Sequence, residues 1–255
     1  MRAVILAGGL GTRLRPYTTV IPKPLVPVGD RPVLEHIMRS LYANGVRTVD
    51  LCVSHLGELI RTYLSQLTLA EDMRLEFHWE DEPLGTAGAL RRVPGLSGSF
   101  IVMNGDILTT LSYRDLVEFH HERGAALTIA MRHTRVDVDL GVIESRDGFV
   151  TGYREKPSLH YDVSMGIYVY DERALRYLPP GPCQFPDLVL RLVAAGERVA
   201  AFPASDADWF DIGTLDEYER ASREFERAPE KFDVQPPGDR AVGVACPSDG
   251  NGATG

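Results

Sequence analysis

The stretch RAVILAGGLGTRLRPYTTVIPKPL, residues 2–25, joins a short apolar run to a loop rich in glycine, cations and proline. The apolar run Arg2–Ala7 predicts a buried strand that stops at Gly8 and Gly9. In an open parallel sheet, ligands bind beyond the carboxyl ends of the strands, which is where these glycines fall. Because glycine lets backbone N–H groups approach an anion closely, the stretch predicts an anion-binding loop.

Two cations in this loop have the chemistry that a polyphosphate needs. Arg13 offers a permanently charged fork, and Lys23 offers a point charge. The prolines from Pro16 to Pro27 predict an extended path that places Lys23 accurately. The structural alternative is a tight turn between a strand and a helix, with arginines at the surface.

Two well-known phosphate motifs do not fit the loop. Residues 9–14 imitate the start of GxGxxG, but the third glycine is missing and the following prolines leave no room for the expected helix. The P-loop pattern GxxxxGK[ST] is absent. A nicotinamide-dependent enzyme is therefore disfavoured.

Alternating strand and helix patterns from residue 2 to about residue 123 predict a parallel sheet with helices on both faces. They include a helix from about residue 31 to residue 43 with Asp30 as its cap, and a later helix with a Ser112/Asp115 capping box. Beyond them, strands with little helix between them indicate a mixed or antiparallel portion: 126–133, 140–145, 149–155 and 163–171. Two more helices are predicted at 185–195 and 214–225, the second with a Thr214/Glu217 capping box. The fold class is a Rossmann-like three-layer αβα fold.

Composition narrows the function classes. The net charge of −9 disfavours nucleic-acid binding, and no run of about 18 apolar residues suggests a membrane span. Three widely spaced cysteines argue against a zinc site or a disulfide framework and suit the cytoplasm. Residues 233–255, rich in Pro, Gly and small polar residues, predict a largely disordered tail after a domain that spans 1–232.

Five motifs resemble those of the sugar-1-phosphate nucleotidyltransferases, or sugar-nucleotide pyrophosphorylases. The chain is most similar to the bacterial mannose-1-phosphate guanylyltransferase-like branch. The motifs stand in the family's order: LAGGLGTRLRP…PKPLVPV (6–28), EPLGTAGAL (82–90), NGD (104–106), EKP (155–157) and WFDIGT (209–214). The resemblance covers Arg2 to about Arg227 and implies a GT-A-like catalytic domain with a small β-rich sugar-binding portion.

The resemblance implies a reaction and its catalytic residues. The 1-phosphate of a sugar, or of a sugar-like cyclitol, attacks the α-phosphorus of a nucleoside triphosphate, and pyrophosphate leaves. Such transfer depends on positioning and charge neutralisation, for which Mg²⁺ and carboxylates are suited. The implied metal ligands are Asp106 and Asp211. Arg13 would hold the β- and γ-phosphates, Lys23 the α-phosphate and Lys156 the phosphate of the sugar.

The resemblance also implies two sets of binding residues. For the nucleotide they are Leu6, Ala7, Gly8, Gly9, Gly11, Thr12, Arg13, Glu82, Gly85, Thr86 and Ala87. For the sugar phosphate they are Asn104, Gly141, Glu155, Lys156 and Ser164. Ser164 departs from the asparagine that many relatives carry there, so the identity of the sugar cannot be carried over.

The choice of base follows from hydrogen bonding if Glu82 reads the base. A carboxylate only accepts hydrogen bonds, and guanine presents N1–H and N2–H₂ side by side. GTP is therefore favoured over UTP and dTTP, which stay open. A regulatory homologue without turnover is the other alternative; the presence of Arg13, Lys23, Asp106, Lys156 and Asp211 together disfavours it. A homo-oligomer is compatible with the sequence.

Overall fold

The computed structural model of the chain describes residues 1–9, 11–67 and 72–232. The predicted tail, 233–255, lies outside these residues. The strands are β1 (Arg2–Leu6), β2 (Pro27–Val28), β3 (Arg31–Pro32), β4 (Thr48–Val53), β5 (Arg74–Trp79), β6 (Ser99–Asn104), β7 (Ile107–Thr109), β8 (Leu127–Asp137), β9 (Val142–Arg146), β10 (Phe149–Arg154), β11 (Ser158–Asp171), β12 (Val199–Pro203) and β13 (Trp209–Asp211). The helices are α1 (Val33–Ala43), α2 (Gly57–Gln66), α3 (Gly85–Gly88), α4 (Tyr113–Arg123), α5 (Phe185–Ala194) and α6 (Leu215–Arg227).

The central sheet has seven strands in the order β12-β8-β11-β6-β1-β4-β5. The four strands β5, β4, β1 and β6 are parallel, β11 runs antiparallel to β6 and β8, and β12 is parallel to β8. This confirms the mostly parallel mixed sheet that the sequence predicts.

Helices cover both faces of the sheet because its strands are apolar on both sides. In β1, Ala3 and Ile5 belong to one fully buried cluster, which α1 and α2 help to cover, whereas Val4 belongs to a second cluster, against α5. A parallel strand buried on both faces reads as a continuous apolar run, as β1 does. The observed arrangement is the three-layer αβα fold.

The order of the strands determines where a ligand can bind. From β1 the chain moves outward through β4 and β5, and then returns to the other side of β1 as β6. Ligands of such sheets bind at the carboxyl ends of the strands where this reversal occurs. Leu6 and Asn104, the last residues of β1 and β6, are direct neighbours in the register. The glycine loop and the NGD motif therefore leave the sheet side by side.

Several local predictions are confirmed and others are wrong. Ser112 Oγ accepts the N–H of Asp115 at 3.2 Å, and Thr214 Oγ1 accepts that of Glu217 at 3.3 Å. Asp30 does not cap α1, because Arg31–Pro32 first pairs with Pro27–Val28 as a two-stranded sheet.

The proline-rich segment is not extended throughout. It contains short 3-10 helices at Thr12–Leu14, Tyr17–Thr19 and Lys23–Leu25. The sequence also gives no prediction of β12. No helix among the described residues is long and apolar enough to cross a membrane.

A β-rich extension is built from the outer halves of β8 and β11, together with β9 and β10. The β8–β11 pairing reaches from Leu127↔Tyr170 to Asp137↔Ser158, with an irregularity between Ser164 and Tyr168. The antiparallel pair β9–β10 forms a separate two-stranded sheet. We call residues 137–158 the β-arm.

Candidate active site

A cavity of about 500 Å³ opens at the carboxyl ends of β1 and β6. Nine residues that the sequence assigns to the site line it: Leu6, Ala7, Gly8, Gly9, Lys23, Gly85, Thr86, Asn104 and Asp106. Ser54, His55, Glu80 and Gln184 also line it, although no motif points to them. The cavity thus stands where the fold places a ligand.

Lys23 lies between the two aspartates. Its Nζ donates a hydrogen bond to Asp106 Oδ2 and lies 3.3 Å from Asp211 Oδ1. The two carboxylates meet because β13 pairs antiparallel with β7, which sets Asp211 opposite Ile107. In addition, the Ile212 N–H donates to the Asp106 carbonyl oxygen at 3.0 Å. Backbone pairing therefore joins the NGD and WFDIGT motifs.

The carboxyl group of Asp106 is only partly satisfied. Its Oδ1 is buried and has no hydrogen-bond partner among the described residues. Burial raises the pKa of Asp106; the Lys23 charge opposes this rise, and the Asp211 charge adds to it. A buried acceptor without a partner is costly, and a hard divalent cation takes oxygen ligands of this kind. Asp106 and Asp211 therefore fit a metal such as Mg²⁺.

A second group of potential metal ligands is better explained as an ion-pair network. Asp50, Glu76 and His78 bring ligand atoms within 4.8 Å of one another. However, Arg2 donates to both oxygens of the fully buried Asp50, at 2.6 and 2.9 Å, and His78 Nε2 lies 2.6 Å from Oδ1. The arginine already balances the Asp50 charge, so this group ties β1, β4 and β5 together.

Arg13 is a cation without an ion pair within the described ranges. It follows Gly11, which adopts a left-handed conformation with φ of 59°. Thr18 Oγ1 donates to the Gly11 carbonyl at 2.6 Å and folds the loop back. Gly11, Thr12 and Arg13 do not line the cavity itself. Instead, Arg13 lies close to Gly213, beside the Asp211 carboxylate. Its guanidinium is therefore available to an anion beside Asp211.

The short helix α3, which carries Gly85, Thr86 and Ala87, is held by the segment before α5. The N–H groups of Ala87 and Gly88 both donate to the Cys183 carbonyl at 3.0 Å. Gly85 has φ of 78°, and a Cβ there would lie 2.6 Å from that carbonyl oxygen. Only glycine fits this close approach. The contact also carries the adjoining Gln184 into the cavity.

The structure places Glu80, not Glu82, at the cavity wall. Glu82 is exposed and does not line the cavity. Glu80 Oε2 accepts the N–H of Leu84 at 3.2 Å, and its Oε1 lies 3.3 Å from where a Cβ on Gly8 would stand. Burial raises the pKa of Glu80. Glu80 is the first residue after β5. Because ligands bind at the carboxyl ends of the strands, this position was the sequence signal that could have identified Glu80 as a site residue.

Two predicted sugar-site residues, Asn104 and Ser164, both lie beside Gly166. Gly166, with φ of 72°, leaves room for Asn104, whose Nδ2 would lie 2.8 Å from a Cβ on that glycine. The N–H of Gly166 donates to Ser164 Oγ, and Ser164 Oγ donates to the Tyr168 hydroxyl, each at 3.3 Å. The irregularity in β11 therefore brings Ser164 towards the end of β6.

The other three predicted sugar-site residues lie on the β-arm, and none lines the cavity. Tyr153 donates to Glu155 Oε2 at 2.9 Å, and its hydroxyl lies so close to Gly141 that a Cβ there would overlap it. Lys156 follows with a positive φ of 41°. Gly141 and Glu155 thus share one tyrosine on the β-arm.

Comparisons with known proteins agree with this geometry. The sequence profile of the nucleotidyl transferase family matches residues 2–228. A mannose-1-phosphate guanyltransferase of Aspergillus fumigatus is 31% identical over 222 residues, which are 84% of this chain and 61% of that protein. A UTP–glucose-1-phosphate uridylyltransferase of Synechocystis sp. is 32% identical over 245 residues, 88% of this chain and 63% of that protein. The chain thus spans less than two thirds of these relatives.

The chain matches a larger share of its relatives among the solved structures. HddC from Yersinia pseudotuberculosis superposes with a TM-score of 0.69 at 29% identity, over 88% of this chain and 99% of that one. The same protein complexed with GMP-PN gives a TM-score of 0.67. With a family profile that covers nearly all the described residues, the chain belongs to the nucleotidyl transferase family.

Proposed function

We propose that the chain transfers a nucleotidyl group from a nucleoside triphosphate, with GTP favoured, to a sugar 1-phosphate or cyclitol 1-phosphate. The products are a nucleotide-activated sugar and pyrophosphate. The observation that carries the proposal is that Lys23 and Asp106 line the cavity where the sheet reverses its strand order, and that Lys23 contacts the carboxylates of both Asp106 and Asp211. Cations and metal-binding carboxylates at one point are what joining two phosphorylated molecules requires.

Asp106 and Asp211 would hold Mg²⁺, which neutralises charge on the phosphates when it is bound. Arg13 binds the β- and γ-phosphates and stabilises the departing pyrophosphate. Its lack of an ion pair among the described residues supports this role. Lys23 binds the α-phosphate, where charge builds in the transition state. Gly8 and Gly9 supply backbone N–H groups along the same path.

Glu80 reads the base in place of Glu82. Its free oxygen accepts from the guanine N1–H and N2–H₂ edge, whereas the carbonyls of uracil or thymine would face it with like partial charge. The GMP-PN complex of HddC agrees with a guanine nucleotide. Gly85, Thr86 and Ala87, which follow the Leu84 held by Glu80, bind the rest of the nucleoside. UTP is the second candidate, because a uridylyltransferase is among the relatives.

The acceptor binds between the cavity and the β-arm. Lys156 binds its phosphate and positions the attacking oxygen, and Glu155 accepts hydrogen bonds from ring hydroxyls. Asn104, Ser164 and the backbone of Gly141 complete the acceptor site. The work of such a site is positioning, since the phosphate nucleophile needs no covalent help. The proposal places the reaction in the cytoplasm. It also allows the protein to act as a homo-oligomer.

A matrix of nucleoside triphosphates against sugar and cyclitol 1-phosphates tests this function. Pyrophosphate release is measured for every pair with Mg²⁺. We expect release that depends on both substrates and is fastest in the GTP column. Release in no pair, together with tight binding of a nucleotide-activated sugar, would support the regulatory alternative instead.

A further inference from the structure

Lys23 occupies an unusual position for a residue that must bind a substrate phosphate. Its side chain is only 12% exposed, and its ammonium lies against Asp106 Oδ2 and 3.3 Å from Asp211 Oδ1. The contact to Asp106 is direct, and that carboxyl has no other side-chain partner among the described residues. The ammonium therefore stands at the point where the two carboxylates converge.

We propose that Lys23 is an internal counter-ion that holds the metal site of the free protein closed. This inference rests on the proposed function, because it takes Asp106 and Asp211 as the metal ligands. Without a cation between them, two carboxylates, one largely buried, would repel each other. The lysine removes that repulsion and keeps both side chains in place.

The proposal assigns Lys23 two successive partners. The ammonium group and a divalent ion cannot both occupy the space between the two carboxylates. Lys23 must therefore move away when the ion binds. Lys23 lines the nucleotide cavity, so its flexible stem can carry the charge to the α-phosphate when that phosphate arrives. Arrival of the triphosphate thus gives the lysine an alternative anion and releases the carboxylates. The free protein binds a divalent ion weakly, and nucleotide opens the site.

The distinguishing consequence is that removing a positive charge strengthens metal binding. Mn²⁺ is the probe, and its binding to the nucleotide-free protein is measured from the electron paramagnetic resonance signal of unbound ion. Lys23→Gln keeps a neutral donor on a side chain that is one atom shorter, and Lys23→Met keeps only an uncharged stem. Because a unit charge within 4 Å is removed, both should bind Mn²⁺ about tenfold tighter or more than the wild type.

Lys231 provides a matched control. Its Nζ also lies between two carboxylates, 3.0 Å from Asp208 Oδ2 and 3.4 Å from Glu224 Oε1, but at the surface. Lys231→Met should leave Mn²⁺ binding unchanged. Adding Asp106→Asn to Lys23→Gln should abolish the gain, because one of the two released carboxylates is then absent.

Thermal unfolding covers the case in which the Lys23 variants fold poorly. If the lysine balances the two carboxylates, Mn²⁺ should restore folding and raise the unfolding temperature of the variants more than that of the wild type. Equal Mn²⁺ affinity in Lys23→Gln, Lys23→Met and the wild type, or variants that Mn²⁺ does not rescue, would overturn the proposal. If the wild type takes up no Mn²⁺ even with a non-hydrolysable GTP analogue, the metal site of the proposed function is itself wrong.

Discussion

Arg13 and Asp211 approach each other across the bare Cα of Gly213. A Cβ on Gly213 would stand 3.2 Å from Arg13 Nη2 and 3.1 Å from Asp211 Oδ1. Both distances are shorter than an ordinary van der Waals contact, so a methyl group there would push Arg13 Nη2 or Asp211 Oδ1 aside by a few tenths of an ångström. Gly213 therefore leaves the space in which Arg13, the proposed cation for pyrophosphate, can lie beside Asp211, a proposed metal ligand.

Gly213→Ala should weaken the binding of pyrophosphate. We expect its KM in the reverse reaction to rise about threefold, because the guanidinium is shifted from its best position and a charged contact is weakened. In an Arg13→Ala background the same substitution should cost little, because the affected group is already gone. Gly181→Ala is the control, since a Cβ there meets nothing within 4 Å. An equal cost of Gly213→Ala in both backgrounds would show that it does not act through Arg13.

Glu80→Gln should relax the preference for GTP. An amide keeps an acceptor for the Leu84 N–H but turns one acceptor into a donor towards the base. The ratio of kcat/KM for GTP to that for UTP should fall about tenfold to a hundredfold. Glu82→Gln, at the exposed neighbour, is the matched variant and should leave the ratio unchanged. A change in the ratio with Glu82→Gln alone would return the base-reading role to Glu82.

Lys156→Ala should raise the KM of one substrate and not that of the other. We expect the KM for the sugar 1-phosphate to rise about tenfold or more through loss of a charge-assisted contact, while the KM for GTP changes little. Steady-state kinetics with each substrate varied in turn measures the difference. Lys231→Ala serves as the control for loss of a lysine. Parallel increases in both KM values would remove Lys156 from the acceptor site.

His120 should make the fold sensitive to mild acid. Its Nδ1 lies 2.8 Å from Thr128 Oγ1, and burial, with a smaller effect of His121, lowers its pKa from 6.5 to about 4. The unfolded chain binds a proton below pH 6.5 that the folded state binds only near pH 4. The free energy of unfolding should therefore fall between these values, by up to about 3 kcal/mol, and change no further with this group below them.

Urea unfolding at intervals from pH 7 to pH 4 measures this dependence. His120→Asn can keep a hydrogen bond to Thr128 but does not titrate, so its stability should fall less steeply. His121→Asn should change the slope only slightly, because His121 lowers the His120 pKa less than burial does. Identical slopes in the His120 variant and the wild type would assign the acid sensitivity to other groups.

The parallel half of the fold could be predicted because local patterns and tertiary contacts agree there. Arg2–Leu6 is an apolar run flanked by glycine, and burial on both faces is what such a run predicts. The start of α1 could not be predicted in this way, since Asp30 is a good cap in isolation. Its strand pairing to residues 27–28 is a tertiary effect that propensity does not report.

The site residues likewise divide into those that the sequence could predict and those that it could not. Asp106 and Asp211 were expected to converge, and their meeting around Lys23 follows from the pairing of β7 and β13. The position of Glu80 was missed because a motif pointed to Glu82, two residues along, and only the turn to Leu84 decides which carboxylate faces inward. Gln184 reaches the cavity through a contact between distant segments, and its own neighbours in sequence carry no sign of it.

The most direct measurement is pyrophosphate release by wild type and Asp106→Asn with saturating GTP, sugar 1-phosphate and Mg²⁺. The substitution keeps the shape of the side chain while removing the charge that contacts Lys23 and that, in the proposed function, binds the metal. We expect a loss of at least about a hundredfold in kcat, as for removal of a main electrostatic group, with an unchanged fold by circular dichroism. Undiminished, Mg²⁺-dependent release by Asp106→Asn would contradict the assignment of this cavity as the catalytic centre.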